Sequence, residues 1–216
     1  MNKSSLISNI QNGNPTPFIG IYDTFSASLA AEKYSCLFVS GYGFAASYYG
    51  MPDIGFIAWT DLLNFVQRLR FAVPQMHLLV DIDDGYCDTE VARHVALQME
   101  QMGVFGVVLE DQKRPRRCGH VGGKQILPLP EYLRKLKAVL ATTDDLFVVA
   151  RTDSSDPEDV LERVAAFSEA GAHAVLADGL EDLNMITKIK DVAKCPVAFN
   201  QMSGGKSPNC DWTELK

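Results

Sequence analysis

A chain of 216 residues, 47% hydrophobic and 22% charged, is long enough to bury one substantial core. Its net charge of −7, with acidic and basic residues interspersed, points away from nucleic acid as a partner. No apolar run reaches the roughly eighteen residues that a membrane-spanning helix needs, so no membrane segment is expected.

Residues 1–16 are polar and carry no signal-peptide core. The five cysteines, Cys36, Cys87, Cys118, Cys195 and Cys210, show no C-x-x-C spacing, so reduced thiols and a cytoplasmic setting are expected, and a zinc site is not. From residue 18 onward, short β-branched runs alternate with amphipathic ones. Strands are predicted over 18–22, 36–40, 77–83, 106–111, 146–153, 174–178 and 196–201. Helices are predicted between them, over 26–33, 60–71, 89–102, 129–141, 157–170 and 180–192. The strand runs are almost continuously apolar, as in a parallel sheet covered on both faces. Seven such units, with 211–216 opening a seventh helix, predict a (β/α)8 barrel of the TIM type. On this reading 1–216 is a single barrel domain that lacks its C-terminal unit. An open doubly wound sheet is the alternative.

One connection is far longer than a usual βα loop. Residues 112–128 hold three arginines, two lysines, three glycines and a histidine, and a loop of this length in a compact domain reads as a lid or binding loop.

Barrel chemistry sits at the carboxyl ends of the strands. Those ends present Asp23, Ser40, Gly41, Asp81, Asp83, Glu110, Asp111, Arg151, Asp153, Asp178 and Asn200. Asp81 and Asp83 are two apart, which in an extended strand puts both on one face. Close carboxylates in a low-dielectric interior repel one another, and a hard cation relieves this. Oxygen-only ligands favour magnesium or manganese over zinc. The simpler alternative for Asp83, Asp84 and Asp153 is N-capping of the helices that follow. Within the long loop, Cys118 lies next to Arg117 and near Arg116 and His120. Such surroundings predict a lowered thiol pKa and acid–base work near neutral pH.

The segment from Arg116 to His120, Arg-Arg-Cys-Gly-His, resembles the Lys-Arg/Lys-Cys-Gly-His signature of the lyase branch of the isocitrate lyase and phosphoenolpyruvate mutase superfamily. Asp81-Ile82-Asp83-Asp84-Gly85-Tyr86 resembles that family's metal-binding strand end. Ala150-Arg151-Thr152-Asp153 matches its Ala-Arg-Thr-Asp strand, and Gly204-Gly205-Lys206-Ser207-Pro208 resembles its late glycine loop. Ser40-Gly41-Tyr42-Gly43 with Gly50-Met51-Pro52-Asp53 resembles its second βα loop.

The resemblance implies a Mg²⁺-dependent carbon–carbon lyase acting on a small 2-hydroxy or 2-oxo di- or tricarboxylic acid, with Mn²⁺ as an alternative ion. It implies that Asp83 binds the ion, directly or through water, assisted by Asp53, Asp81 and Glu110. Arg151 then grips a substrate carboxylate, together with the backbone of Ser40, Gly41 and Tyr42. Cys118 protonates the carbanion, while Arg117 and His120 keep the thiol ionisable. Gly119, His120, Asp178 and Asn200 complete the substrate site. The resemblance also implies a homotetramer in the full-length form.

Departures from the pattern are Arg116 for Lys, Asp84 for Thr, Cys87 for Gly, Asp178 for Glu and Ser203 for Glu. The Gly-Gly-Lys-Ser-Pro loop leans towards smaller dicarboxylates and away from 2-methylisocitrate. Two rivals stand beside the lyase: a phosphonopyruvate or carboxyphosphonoenolpyruvate mutase or hydrolase, and a catalytically idle dicarboxylate-binding member. His77, His94 and His173 are expected to be structural, and Cys36 and Cys195 to fill core positions. The aromatic run around Tyr42, Phe44, Tyr48 and Tyr49 is expected to pack on a neighbouring subunit.

Overall fold

A computed structural model describes residues 2–211. It contains seven parallel strands: β1 (Ile19–Ile21), β2 (Cys36–Val39), β3 (His77–Asp81), β4 (Gly106–Glu110), β5 (Phe147–Thr152), β6 (Ala174–Ala177) and β7 (Val197–Ala198). Their spatial order is their chain order, with each strand parallel to the next. A doubly wound sheet reverses its order at a switch point. This sheet does not, so the open-sheet alternative falls. The seven strands form a curled arc whose ends, β1 and β7, do not pair with one another among the described residues. The start of a seventh helix expected over 211–216 lies, after Asp211, outside the described residues.

The period-2 pattern of the strands separates two cores. Leu78 and Val80, Val107 and Leu109, Val148 and Ala150, and Val175 and Ala177 face the helix layer. Their neighbours Leu79, Val108, Phe147, Val149, Ala174 and Leu176 line the inside of the curl. Each inner row runs on towards a charged residue at the strand's carboxyl end, namely Asp81, Glu110, Arg151 and Asp178. The covering helices are α2 (Thr24–Ala31), α4 (Trp59–Ala72), α5 (Thr89–Gln101), α6 (Leu129–Leu140), α7 (Pro157–Glu169) and α8 (Asn184–Val192). Their bounds follow the predicted ones closely except at α8, which starts four residues late, behind a turn closed by Asp182 on the Asn184 amide.

Two elements were not expected. Residues Lys3–Gln11 form α1, capped by Asn2, whose side chain accepts from the Ser5 amide at 2.8 Å. Its Leu6 is fully buried in the inner core, with Ile7 and Ile10 packed against it, so α1 closes that core. After β2, α3 (Gly41–Phe44) runs into a π-helical turn, Ala45–Tyr49. There Phe44 is buried and stacks on Phe65, while Tyr48 and Tyr49 stay partly exposed. The histidines behave as structural groups: His173 Nδ1 accepts from the Val148 amide at 3.0 Å, and His94 meets Trp59 edge-on. No helix among the described residues is long and apolar enough to cross a membrane.

Candidate active site

The acidic strand ends are not helix caps, with one exception. Asp23 caps α2 through a reciprocal box with Ser26, whereas α5 and α7 are capped by Asp88 and Asp156. Asp83, Asp84 and Asp153 are therefore available for other work.

Asp81 and Asp83 do converge, but not through the pleat of one strand as expected. β3 stops at Asp81, and Asp83 lies in a left-handed turn at φ 52°, a conformation that strains a non-glycine residue and is kept where surrounding structure demands it. The turn is tied by the Asp83 amide donating to Asp81 Oδ1 at 3.1 Å and the Glu110 amide donating to the Asp83 carbonyl at 2.9 Å. Gly85 completes it, because a Cβ there would come within 2.5 Å of Ala92 Cβ. As a result Asp83 is 1% exposed, and neither of its carboxylate oxygens accepts a hydrogen bond. Burial raises its pKa to about 7, with Arg116 opposing the rise and the neighbouring carboxylates adding to it.

Two buried guanidinium groups organise the carboxylates. Arg151, on β5 opposite Glu110 of β4, forks onto Asp153 with both contacts at 3.0 Å. It also reaches Asp178 at 2.8 Å, Glu110 at 3.3 Å and Asp81 at 3.7 Å. Burial alone would raise Asp153, but Arg151 overrides this and holds it below the usual carboxylate range. Arg116 was expected as a variant of the loop signature and as one of the cations beside the thiol. It is 2% exposed and sits among the expected metal ligands, pairing with Glu110 at 2.7 Å, with Asp83 at 3.3 Å and with Asp53.

The long loop enters the site from above. Its base is tied by Lys113 and Gln125, by Leu127 and Asp111, and by Arg114 in a two-pronged pair with Asp84 at 2.7 and 2.9 Å. Gln112 brackets the backbone of Arg117, donating to its carbonyl at 2.7 Å and accepting from its amide at 2.8 Å. Gly119 then passes so close to the guanidinium centre that a Cβ would lie 2.0 Å from Asp178 Oδ2 and 2.5 Å from Arg151 Nη2. Gly119→Ala should therefore unseat the loop and lower turnover at least tenfold, with the melting temperature nearly unchanged because the loop lies outside both cores. Steady-state kinetics and a thermal melt check this.

His120 Nδ1 accepts from the Lys206 amide at 2.9 Å, so in the neutral ring Nε2 carries the proton, 3.6 Å from Asp178 Oδ1. Gly205 makes room for this ring, since a Cβ there would come within 2.8 Å of Nδ1. Asn200 donates to the same Asp178 oxygen at 2.9 Å.

The thiol departs from expectation. Burial raises Cys118 above its ordinary pKa; the His120 backbone offsets part of the rise, and Asp53 and Asp178 add to it. Arg117 does not lower it. That residue is exposed, and its guanidinium lies beside Gly123. The cations that sequence proximity assigned to the thiol are instead directed to carboxylates or to solvent.

The structure thus gathers Cys118, Gly119, His120, Arg151, Asp178 and Asn200 at one end of the inner face, beside Asp53, Asp81, Asp83 and Glu110. Ser40 caps α3 by accepting from the Gly43 amide at 3.1 Å, and Gly41 lies against Asp83 and Asp81. Tyr42 is half-exposed on the rim, and Arg117 is not brought in. Sequence reasoning missed the central place of Arg116, the Asp84–Arg114 anchor, and Lys124, which pairs with Asp153 at 3.4 Å. Arg116 and Asp84 stand out in the sequence as departures from the family motifs, and Arg116 also as a cation near the thiol, but their pairings are not legible there.

The donor set fits a hard divalent cation. It is all oxygen, and Asp83 offers two buried oxygens with no hydrogen bond. Arg116 pairs with three of these carboxylates, Asp53, Asp83 and Glu110.

A sequence model of the phosphoenolpyruvate phosphomutase family matches residues 7–215. A 2-methylisocitrate lyase of Bacillus subtilis is 35% identical over 193 residues, covering 88% of this chain and 64% of that protein, so the chain spans somewhat less than two thirds of its length. Oxaloacetate acetylhydrolase, solved with the inhibitor 3,3-difluorooxalacetate, superposes with a TM-score of 0.90 at 28% identity over 98% of this chain and 75% of that one. A 2,3-dimethylmalate lyase superposes with a TM-score of 0.89 at 28% identity, over 98% and 74%. On these matches the chain belongs to the phosphoenolpyruvate phosphomutase family, within the isocitrate lyase and phosphoenolpyruvate mutase superfamily.

Proposed function

We propose that this chain forms most of a closed (β/α)8 barrel that cleaves a carbon–carbon bond in a small 2-hydroxy or 2-oxo dicarboxylic acid, with Mg²⁺ as cofactor. The observation that carries this reading is the convergence of the Cys118 thiol, the Arg151 guanidinium and the buried carboxylates around Asp83, whose own oxygens lack hydrogen bonds, at the carboxyl end of one inner face. Asp83, with Asp53, Asp81 and Glu110 around it, would hold the cation, which supplies Lewis-acid stabilisation of the oxyanion formed on bond cleavage. Arg151 offers a planar fork for the substrate carboxylate. The Gly41 and Tyr42 amides, at the start of α3, support the same end of the substrate.

In a 2-hydroxy acid the hydroxyl gives up its proton to solvent or a base and becomes a carbonyl as the carbon–carbon bond breaks. The bonding pair passes to the carbon next to a carboxylate, that carbanion takes the Cys118 proton, and the thiolate is reprotonated from solvent before the next turnover. A thiol held above its ordinary pKa is protonated at neutral pH, which is the state a general acid requires. His120, fixed by Lys206 and Gly205, presents its Nε2 proton to the Asp178 side of the pocket. The Gly204-Gly205-Lys206-Ser207-Pro208 loop, which leans towards smaller dicarboxylates, favours a dicarboxylate over a tricarboxylate. The partly exposed aromatic rim of Tyr42, Tyr48 and Tyr49 supports assembly as a homo-oligomer. A cytoplasmic setting accords with its free thiols.

The test is Asp83→Ala, assayed with Mg²⁺ on a panel of 2-hydroxy, 2-oxo and phosphono acids. Turnover and Mn²⁺ binding should both be lost while the thermal melt persists. Undiminished activity of this variant in excess chelator would remove the metal from the reaction, and turnover of a phosphono acid alone would favour the mutase or hydrolase reading.

A further inference from the structure

The Arg116 guanidinium occupies the position from which a cation would reach the acidic cluster, and it belongs to the loop that carries the thiol. Its Nε and Nη2 fork onto Glu110 at 2.7 and 3.3 Å, and its Nη1 faces Asp83 at 3.3 Å and contacts Asp53. The side chain is almost wholly buried, and its stem packs on the backbone at Gly55, where a Cβ would come within 3.1 Å of Arg116 Cγ. The match is incomplete. Arg116 neutralises Asp83 without donating a hydrogen bond to it, so both Asp83 oxygens remain unsatisfied in the interior. Gly41 also lies against Asp83 Oδ1 and presents no side chain to it.

We propose that Arg116 is the resident counter-ion of this cluster, and that a divalent cation loads by displacing its guanidinium, which frees the Cys118 loop. The inference rests on the metal reading above and extends it from a place for the ion to a coupling between the ion and the loop. Three points carry it. First, Arg116 engages three of the four carboxylates that would bind the ion, Asp53, Asp83 and Glu110. Second, a dication held a few ångströms from a fixed guanidinium in a buried site would be strongly repelled, so the two do not share the cluster in this geometry. Third, Arg116 is two residues from Cys118 in the same loop, so release of its guanidinium removes one of the ties that hold that loop over the site. Other loop ties, Asp84–Arg114 and Gln112–Arg117 among them, do not involve the Arg116 side chain and would hold as it leaves. With Arg116 on the carboxylates the loop is latched, and loading the ion readies it to close again over substrate.

The experiment uses Mn²⁺ alone and needs no substrate. Ion binding is followed by the paramagnetic resonance signal of free Mn²⁺ in wild type, Arg116→Gln and Arg116→Lys. If the unlatched state is the one that binds, Arg116→Gln should bind Mn²⁺ roughly tenfold or more tightly, with Arg116→Lys between it and wild type. In the wild-type protein, trypsin should cut after Arg116 only slowly without Mn²⁺ and markedly faster with it, because cleavage requires that side chain to leave the carboxylates. Weaker or unchanged binding by Arg116→Gln would overturn the proposal and leave Arg116 as a support for the ion. Mn²⁺ binding without any change in cleavage after Arg116 would overturn it too, and this arm needs no variant to fold. If no form binds Mn²⁺, the metal reading itself fails and takes the latch with it.

Discussion

Replacing Cys118 by serine should lower turnover by roughly 10²–10⁴-fold, the range that a positioned general acid contributes, while substrate still binds. A serine hydroxyl keeps the size and hydrogen bonding of the thiol, but it is a far weaker acid and cannot deliver its proton to a short-lived carbanion. The loop geometry survives the change, because Gly119 and His120 are held by backbone approach and by Lys206 independently of the sulfur. Activity of the wild type should decline on the alkaline side as the thiol ionises, since the thiolate has no proton to give. Because Cys118 is held above its ordinary pKa, it should also alkylate slowly in the metal-free protein compared with a free thiol. Kinetics, ligand titration and timed alkylation with mass readout measure the three effects. Normal turnover by Cys118→Ser would assign protonation elsewhere and favour a reaction that needs no thiol acid.

The second large effect is expected at Arg151. Arg151→Lys should reduce turnover by roughly a hundredfold or more, because one ammonium replaces a planar fork with fixed donors. In the ligand-free site this guanidinium contacts Asp81, Glu110, Asp153 and Asp178, side chains belonging to the ends of β3 to β6. Substrate must exchange one of these partners for its own carboxylate, which a fork can do in two steps and a point charge cannot. Arg151→Met should go further and cost about 3–5 kcal/mol of stability, since it strands buried carboxylates without compensation. Wild-type kinetics in the Lys variant would make Arg151 a purely structural residue. A denaturant titration of the Met variant checks the stability.

The amino-acid sequence by itself determined the alternation of strands and helices, the acidic strand ends and the long basic loop. A buried parallel strand must be apolar on both faces, so its length and its polar terminus are written locally, as in 106–111 and 146–153. Resemblance of the Arg-Arg-Cys-Gly-His segment supplied the family, and the matched family and superposed structures agree with it. Residues 3–11 went unread because only Leu6, Ile7 and Ile10 mark the face of α1, too few to stand out among polar neighbours.

What the tertiary structure alone decided is where the charges go. Adjacent in sequence, Arg116 and Arg117 look alike beside the thiol, yet one is buried among carboxylates and the other lies exposed. Arg116 meets Asp53 across 63 residues and Glu110 across six, distances that no local pattern encodes. The consequence is a thiol whose pKa moves opposite to the sequence expectation: desolvation and facing carboxylates depend on which side chains share a cavity, and only the folded loop brings them together.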